Sequence, residues 1–342
     1  MTKKQRIEAF VRLGEYLLAE TARLQEIMAA EVHHNPWFTL PNVQLAVRAL
    51  ANNLSAHKLT SWLAPYPFDG DTEKTVGLVL AGNIPLVGFH DILCALCAGY
   101  GVQLKLSSAD YQLTKHLLEQ LVVIEPEFGD KIAIVDRLKD FDVVIATGSD
   151  NSARYFEYYF GNVPHIIRKN RNSAAILTGN ESAEDLQRLG HDIFDFFGLG
   201  CRNVSKLFVP EHYDIAHFFE GIASFGDIVN HHKYLNNYDY NKSIYLINGD
   251  SHYDNGFLLV KRDTRTASPL AVLYEEEYAS EDALIERITT SSFDLQCIVS
   301  GKKFNVPTPV FDFGLAQHPA LDDYADGVNT LDFLAEHRNP LA

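Results

Sequence analysis

The spacing of apolar residues divides this chain into a helical N-terminal part and a longer part in which strands and helices alternate. Apolar side chains recur at helical spacing over residues 5–30, and a second helical pattern over 42–56 follows Pro41, which suits a first helical turn. From Lys74 onward, apolar runs of strand length alternate with helical patterns. This alternation predicts an α/β fold in which parallel sheets are covered by helices on both faces.

The individual elements of the alternating part follow from the same patterns. Strands are predicted over residues 75–82, 102–106, 131–135, 142–146, 174–178, 205–210, 244–247, 256–260, 269–274 and 295–300. Helices are predicted over 86–98, 110–122, 182–197, 280–289 and 329–337, and a further one begins after Ser149. Ser182 and Asp185 are close to a capping box. The polar run 231–243, rich in Tyr and Asn, is predicted to be a loop or a short excursion.

Composition and charge narrow the class of protein. Hydrophobic residues make up 46% and charged residues 22% of 342 residues, which is typical of a globular protein with room for two domains. The formal net charge of −16 argues against binding to nucleic acid or to an anionic membrane surface. The most apolar stretch, 76–106, is interrupted by polar residues, so we expect no membrane span, and we expect no signal peptide. Four cysteines do not make a disulfide framework, which favours a cytoplasmic location.

Cys201 is the residue whose surroundings point most directly to chemistry. It lies in a glycine-bounded loop, between Gly200 and Arg202, where a helical pattern gives way to a strand pattern. A thiolate in such a loop is accessible to a substrate and can accept an acyl group from a thioester. Arg202 either lowers the pKa of this thiol or points into solvent.

The remaining cysteines and the paired histidines fit simpler roles. Cys94 and Cys97 have a CxxC spacing but lie inside an apolar helix with no second pair to complete a zinc site, and Cys297 lies in an apolar strand. We expect all three to be buried packing residues. The pairs 33–34 and 231–232 are histidines without partners at metal-ligand spacing, so no metal is expected.

Two polar segments follow predicted strands at the edge where open α/β sheets bind ligands. Asn83 can donate a hydrogen bond to an oxyanion, or it can simply satisfy the backbone of its turn. Lys105, followed by Ser107 and Ser108, can bond a ribose or a phosphate, although a solvated strand end is the simpler interpretation.

A third segment at a strand end consists of the small residues Thr147, Gly148 and Ser149, which lie between a strand and a helix. Small residues there let backbone amides approach a phosphate or a nicotinamide ring. The common nucleotide fingerprints GxGxxG and GxxxxGKS/T are absent from the sequence. The segment therefore points to a nucleotide site only in combination with the others.

Taken in order and spacing, these segments resemble the aldehyde dehydrogenase superfamily. The family's Asn-aromatic-Pro turn resembles Asn83-Ile84-Pro85, in which isoleucine replaces the aromatic residue. The other matching motifs are the strand-end lysine motif (105–108), the Gly-Ser cofactor turn (148–149) and the nucleophile loop (Gly200, Cys201 and the basic Lys206). The run FGLAQHPALDDYADGVNTLDFL, residues 313–334, is similar to the tail of LuxC-type acyl-CoA reductases, the fatty-acid reductase branch known from bacterial luminescence. GCRNVSKLFVP and IIRKNRNSAAIL also fit that branch, and the resemblance covers about residues 74–335.

The resemblance implies an aldehyde dehydrogenase-like fold with two Rossmann-like, parallel-sheet domains. Residues 1–172 would hold the N-terminal helices and the cofactor-binding domain, 173–315 the catalytic domain, and 316–342 a tail that packs back on the core. It implies that Cys201 is the nucleophile and Asn83 the oxyanion donor. The residues implied to contact the cofactor are Lys105, Ser107, Ser108, Thr147, Gly148 and Ser149.

The departures from the family pattern indicate the direction of the reaction. Aldehyde-oxidising relatives carry a water-activating glutamate in a Glu-Leu-Gly-Gly run, whereas residues 167–174 here contain no acid. An acyl-enzyme that must survive until hydride arrives gains from that loss. Ser108 stands where many NAD-dependent relatives have an acid, which favours NADPH over NADH. Residues 265–269 lack the family's Glu-x-Phe-Gly-Pro motif, so its ribose contact is not carried over.

The resemblance therefore implies NAD(P)H-dependent reduction of an acyl-CoA, expected to be long-chain, or of another acyl-thioester, to the aldehyde through an acyl-cysteine intermediate. The alternatives are a reductase of a short acyl-CoA or acyl phosphate, and a non-catalytic scaffold that binds cofactor or a partner. The expected partners are an acyl-CoA or acyl-protein donor, an acyl-protein synthetase and a second copy in a homodimer. His165 and His191 are candidate proton donors. Aromatic residues at 155–160 and 194–197 either line an acyl tunnel or pack in the core.

Overall fold

The computed structural model describes residues 1–338, and the chain divides into two compact units. The first unit comprises Met1–Asn170 and the segment that begins at Ala320, and the second comprises Arg171–Pro319. Each unit contains one sheet in which most neighbouring strands are parallel, and helices surround both sheets. The predicted α/β class is therefore confirmed.

Helices α1 (Lys3–Leu18), α2 (Ala22–His34), α3 (Leu40–Asn53) and α4 (Ala56–Leu63) precede the first strand. The single helix predicted over 5–30 is wrong, because the chain turns between α1 and α2. Glu20 has a left-handed φ of 41°, and the Thr21 hydroxyl caps α2 by accepting a hydrogen bond from the Leu24 N–H at 3.3 Å. The second predicted helix is confirmed as α3, with Pro41 in its first turn.

The sheet of the first unit has the topology of a nucleotide-binding fold. Its elements are β1 (Thr75–Val79), α5 (Phe89–Cys97), β2 (Gly101–Lys105), α6 (Gln112–Ile124), β3 (Ile132–Ile134), β4 (Val143–Thr147), α7 (Asp150–Phe160) and β5 (His165–Arg168). All pairings are parallel, in the order β3-β2-β1-β4-β5. The chain therefore progresses in one direction from β1 to β3 and in the other from β4 to β5. Ligands bind at the carboxyl ends of the strands that flank such a reversal.

The second unit carries a longer sheet. Its elements are β6 (Asn172–Ile176), α8 (Ala183–Phe194), β7 (Val204–Pro210), α9 (Ile215–Gly221), α10 (His232–Asn248), β8 (Tyr253–Asp254), β9 (Leu259–Arg262), β10 (Val272–Tyr278), α11 (Glu281–Thr290), β11 (Leu295–Val299) and β12 (Val310–Phe311). The strand order is β12-β11-β6-β7-β10-β9-β8, and the β8–β9 pair is antiparallel. The capping box of α8 forms as predicted, with the carboxylate of Asp185 as the partner of Ser182. The last described helix, α12 (Thr330–Arg338), belongs to the first unit.

The predictions of a loop over 231–243 and of a strand over 244–247 are wrong, because both segments belong to α10. The buried face of this helix consists of Tyr234, Tyr238, Asn241 and Tyr245. These residues recur at helical spacing, but they carry polar groups and so do not form an apolar pattern in the sequence. Their polar groups find partners, since the Tyr234 hydroxyl donates to the Phe257 carbonyl at 3.1 Å and that of Tyr238 to the Asp254 carboxylate at 2.6 Å. This helix buries aromatic area without leaving its hydroxyls unsatisfied.

The cysteines other than Cys201 are packing residues, as predicted. Cys94, Cys97 and Cys297 are each 0% exposed. Burial raises the pKa of Cys97 to about 12 and that of Cys297 to about 11, so these thiols carry their protons at neutral pH. Among the described helices, none combines the length and the apolar composition that crossing a membrane would require.

Candidate active site

The strand-end segments singled out in the sequence for the first unit lie at the carboxyl edge of one sheet. The turn that contains Asn83 follows β1, the segment 105–108 ends β2 and continues beyond it, and Thr147–Ser149 follows β4 at the start of α7. Because β1 and β4 are neighbours and flank the reversal of strand order, their two turns border the crevice in which this topology binds ligands. The side chain of Asn83 is exposed.

The Asn83 turn is fixed by close packing and by a buried acid. A Cβ added at Gly82 would lie 2.4 Å from the Ser107 Oγ, so only glycine lets the end of β1 approach the segment after β2 this closely. Leu86 has a left-handed φ of 58°, and its N–H donates to the Oδ2 of Asp110 at 2.9 Å. Asp110 is 4% exposed and lies 24 positions away in the chain. Asp110 is not among the residues that the sequence motifs single out.

The predicted lysine motif is ordered by the backbone around it. The Lys105 ammonium donates to the carbonyl of Asp136 at 2.8 Å, just beyond β3. The Ser107 hydroxyl accepts a hydrogen bond from the Ala109 N–H at 3.3 Å and caps the short helical turn Ser108–Asp110. The motif thus lies at the carboxyl ends of β2 and β3, where its side chains border solvent.

The turn after β4 has the features of an anion-binding loop. The Ser149 hydroxyl caps the eleven-residue helix α7 by accepting from the Ser152 N–H at 3.3 Å. A Cβ at Gly148 would meet Phe156 and Ser152 at 2.9 Å, so the backbone here is packed more closely than a side chain would permit. A helix N-terminus behind a glycine turn suits a phosphate group. The residues present therefore fit the pyrophosphate of a dinucleotide.

Arg168, the last residue of β5, lies where the family resemblance places the missing acid. Its guanidinium donates to the Asp91 carboxylate on α5 and, at 3.0 Å, to the Thr330 hydroxyl. Arg168 is 5% and Asp91 4% exposed. Burial lowers the pKa of Arg168, but the Asp91 charge and hydrogen bond outweigh that effect and raise it overall. The carboxylate of Asp91 is thus held in a buried ion pair.

In the second unit, Cys201 lies in the tight turn between α8 and β7. The turn spans Gly200 to Asn203 and closes by a hydrogen bond from the Asn203 N–H to the Gly200 carbonyl at 3.1 Å. The Cys201 carbonyl accepts from the Ser173 hydroxyl at 3.0 Å, which ties the turn to β6. Of the four cysteines only Cys201 is partly exposed, since the other three are buried. The predicted loop between a helix and a strand is confirmed for this residue.

The basic residues near Cys201 make different contacts from those the sequence suggested. The guanidinium carbon of Arg202 lies 5.4 Å from the centre of the Phe311 ring, so this side chain lies against the protein and does not extend freely into solvent. Lys206 lies inside β7, within the strand predicted over 205–210. It is 0% exposed, and its ammonium pairs with the Glu276 carboxylate at 2.7 Å. Burial lowers the pKa of Lys206 despite this pairing.

The candidate histidines have ordinary partners in the fold. His165 is exposed, and its Nδ1 lies 2.9 Å from the Val163 carbonyl. His191 is paired with Asp195 at 3.1 Å, and this hydrogen bond raises the pKa of the imidazole. Across residues 1–338, no group of three or more His, Cys, Asp or Glu side chains has an arrangement that could hold a metal ion.

The aromatic residues that precede Cys201 belong to a ring cluster. Phe194 stacks on Phe225 with centroids 5.2 Å apart, and Phe197 lies 4.2 Å from His231. The tyrosines in the aromatic run on α7 project outward, so they do not pack in the core, which was one of the two roles considered for this run. Tyr155, Tyr158 and Tyr159 are 66%, 80% and 68% exposed.

The fold of this chain is that of the aldehyde dehydrogenases. It is similar to aldehyde dehydrogenase 21 from Physcomitrella patens in complex with the product succinate, with a TM-score of 0.68 over 99% of this chain and 85% of that one at 14% identity. An aldehyde dehydrogenase from Mycobacterium tuberculosis complexed with NAD+ gives 0.68 over 98% and 84% at 14% identity. A variant of aldehyde dehydrogenase C from Pseudomonas syringae, with NAD+ and octanal, gives 0.62 over 89% and 73% at 13% identity. No protein-family model and no curated protein sequence matches the chain.

Proposed function

We propose that this protein reduces an acyl-CoA, or another acyl-thioester, to the aldehyde with a nicotinamide cofactor, and that Cys201 carries the acyl group during the reaction. Three features support the proposal: the aldehyde dehydrogenase-like fold, the partly exposed thiol in a fixed turn, and the sequence resemblance to acyl-CoA reductases of the LuxC type. A long acyl chain is the substrate that this resemblance favours.

The observation that carries the proposed direction is the buried pair of Arg168 and Asp91. The family resemblance places the water-activating glutamate of aldehyde-oxidising relatives within residues 167–174, a segment that begins with the last two residues of β5. Here that segment presents a guanidinium, and the carboxylate next to it is bound to that guanidinium. If the absence of an acid from residues 167–174 leaves water unactivated, an acyl-cysteine is hydrolysed slowly and persists until it is reduced.

The chemistry proposed for the chain's own residues is acyl transfer to sulfur. The Cys201 thiolate attacks the thioester carbonyl, the bond from carbon to the CoA sulfur breaks, and CoA leaves as a thiolate. Asn83 is proposed to donate a hydrogen bond to the oxyanion formed on the way; one such donor is typically worth ~3 kcal/mol. Because a thiolate is a good leaving group, the acylation step requires no general acid.

The cofactor site proposed for the first unit consists of the carboxyl-edge residues already described. Gly148, Ser149 and the N-terminus of α7 would hold the pyrophosphate, while Lys105 and Ser107–Ser108 would hold the adenosine ribose. The bound nicotinamide supplies the hydride that converts the acyl-thioester, with one proton from solvent, to aldehyde and free Cys201. Ser108 carries no negative charge that would repel a 2′-phosphate, so we propose NADPH as the preferred form.

The test is an intact-mass experiment in two stages. Purified protein is mixed with a long-chain acyl-CoA without reductant, and NADPH or NADH is then added. We expect one acyl adduct, mapped to Cys201, that disappears as aldehyde forms. The Cys201→Ala variant should form no adduct and no aldehyde, whereas Cys97→Ala, a matched change of a buried thiol in the first unit, should behave like the unmodified protein.

Two outcomes would overturn the proposal. One is aldehyde formation by the Cys201→Ala variant, which would show that Cys201 is not the nucleophile. The other is the absence of an adduct with long-chain acyl-CoA, acetyl-CoA and an acyl phosphate alike. An adduct that forms but releases carboxylate and not aldehyde would show that the acyl-enzyme is hydrolysed and not reduced; it would contradict the reductive step and leave the role of Cys201 intact.

A further inference from the structure

The chain enters the Cys201 turn through a segment of unfavourable backbone conformation. After α8, the consecutive residues Phe196, Phe197 and Gly198 have φ angles of 53°, 58° and 78°. Two of the three carry a Cβ, and each such residue in the left-handed region costs about 1–2 kcal/mol. A segment of this kind persists only where surrounding contacts determine it. One side chain, that of Asn203, contacts the backbone on both of its flanks.

Asn203 is 2% exposed and uses both ends of its carboxamide. Its Oδ1 accepts from the Gly200 N–H at 2.8 Å, on the side of the Cys201 turn. Its Nδ2 donates to the carbonyl of Asp195 at 2.8 Å and to that of Asp192 at 3.2 Å, at the end of α8. The left-handed segment is thereby held between two points of one planar group.

The bound carbonyls explain why the group is an amide. The last carbonyls of a helix have no partner within it and form the negative end of its dipole. A carboxamide supplies two donors for them and one acceptor for the Gly200 N–H without adding charge. An aspartate at the same position would lack the donors and would place a negative charge against the carbonyls.

We propose that Asn203 is a positioning residue that fixes the Cys201 thiol for attack on a bound acyl group; this inference rests on the proposed nucleophilic role of Cys201. Asn203 does not act on the substrate itself. It fixes the backbone immediately before Cys201, while the Ser173 hydroxyl holds the Cys201 carbonyl from the other side. A displacement of about 1 Å at a reacting group can reduce a rate a hundredfold.

The experiment separates orientation from thiol reactivity. Acylation by a long-chain acyl-CoA requires an oriented thiol, whereas alkylation by iodoacetamide requires only an accessible thiolate. Both rates at Cys201 are measured by intact mass for the unmodified protein and for Asn203→Ala. We expect acylation by Asn203→Ala to slow about 10- to 100-fold and alkylation to change less than about threefold.

Ser300→Ala is the matched control. Its hydroxyl is also buried in the second unit and donates to the Ile176 carbonyl at 3.0 Å, but it follows β11, at the opposite sheet edge from the Cys201 turn. We expect this variant to acylate at the unmodified rate, which would show that loss of a buried hydrogen bond alone does not slow the reaction. Asn203→Ser, which keeps one small hydrogen-bonding group, serves if Asn203→Ala does not fold, and the same slowing is expected.

The two ideas fail in different arms of the experiment. If the unmodified protein forms no adduct on Cys201, the proposed function fails. If it forms the adduct and a folded Asn203 variant acylates as fast as Ser300→Ala, the positioning role is overturned. Equal slowing of acylation and alkylation would also overturn it, because the change would then lie in the thiol and not in its orientation.

Discussion

The buried carboxyl group of Asp110 should make the stability of the first unit depend on pH. Its Oδ2 accepts hydrogen bonds from the Leu86 N–H at 2.9 Å and the Thr114 hydroxyl at 3.2 Å. Its Oδ1 is buried and has no hydrogen-bond partner among residues 1–338. Burial, opposed by the Leu86 hydrogen bond and reinforced by the charge of Glu31, raises the pKa of Asp110 to about 8.

The direction and size of the effect follow from that pKa. The carboxyl loses its proton near 3.8 in the unfolded chain and near 8 in the folded protein. Between those values the folded protein holds a proton that the unfolded chain has lost, so the free energy of unfolding falls as the pH rises. The stabilisation is fully present below about pH 4 and is lost as the pH passes through about 8, and it amounts to on the order of 5 kcal/mol.

Urea unfolding followed by tryptophan fluorescence measures this effect selectively, because both tryptophans, Trp37 and Trp62, lie in the first unit. The Asp110→Asn variant cannot take up the proton. Its free energy of unfolding, relative to the unmodified protein, should therefore rise by several kcal/mol from about pH 5 to about pH 8. Asp130→Asn removes an exposed carboxylate and should leave the pH profile of the protein unchanged.

The prediction is tested by the slope of the free energy of unfolding against pH, compared between Asp110→Asn and the unmodified protein. An amide in place of the unpartnered Oδ1 adds a constant cost of about 1–3 kcal/mol at every pH, which does not affect the slope. Glu31, whose pKa burial also raises, leaves part of the pH dependence in the variant. Parallel profiles for Asp110→Asn and the unmodified protein would refute the reasoning.

Two further predictions concern packing at the same sheet edge. Arg168→Met should lower the free energy of unfolding by about 3–5 kcal/mol, because it leaves the Asp91 carboxylate buried without its partner. Adding Asp91→Leu should restore most of the lost stability. A loss below about 1 kcal/mol in urea unfolding would contradict this prediction. Gly82→Ala should cost about 1–3 kcal/mol in the same assay, since its Cβ would lie 2.4 Å from the Ser107 Oγ, and Ser107→Gly in the same chain should recover part of it. An alanine variant as stable as the unmodified protein would show that the turn adjusts without strain.

Strands with uninterrupted apolar runs were predictable from the sequence, and the strand that ends in a buried charge was not. The run that forms β4 is buried along almost its whole length. A parallel strand that is covered on both faces has such an uninterrupted apolar sequence. Strand β5 has only four residues, begins with the exposed His165 and ends with Arg168. An arginine is buried here because Asp91 and Thr330 accept hydrogen bonds from its guanidinium, and neither partner is near it in the chain.

Helix α10 was missed for a related reason. Its buried stripe consists of three tyrosines and Asn241, so the helical period is present while the contrast between apolar and polar positions is weak. The Asn241 amide is buried because it donates to the carbonyls of Asn237 and Leu270, both at 2.9 Å. A pattern based on hydrophobicity does not register residues that are buried through their hydrogen bonds.

The same distinction applies to the candidate site. Asn83 and Cys201 were recognisable because each lies in a short turn at the end of an element, where residue type and spacing carry information. The residues that fix those turns, Asp110 and Asn203, act through backbone groups: one through the Leu86 N–H 24 positions away, the other through Gly200 and the end of α8. Since any backbone N–H or carbonyl can serve as a partner, no residue motif marks such supports. A chain that changed only Asp110 would retain the sequence pattern of the site and lose a contact that holds the Asn83 turn.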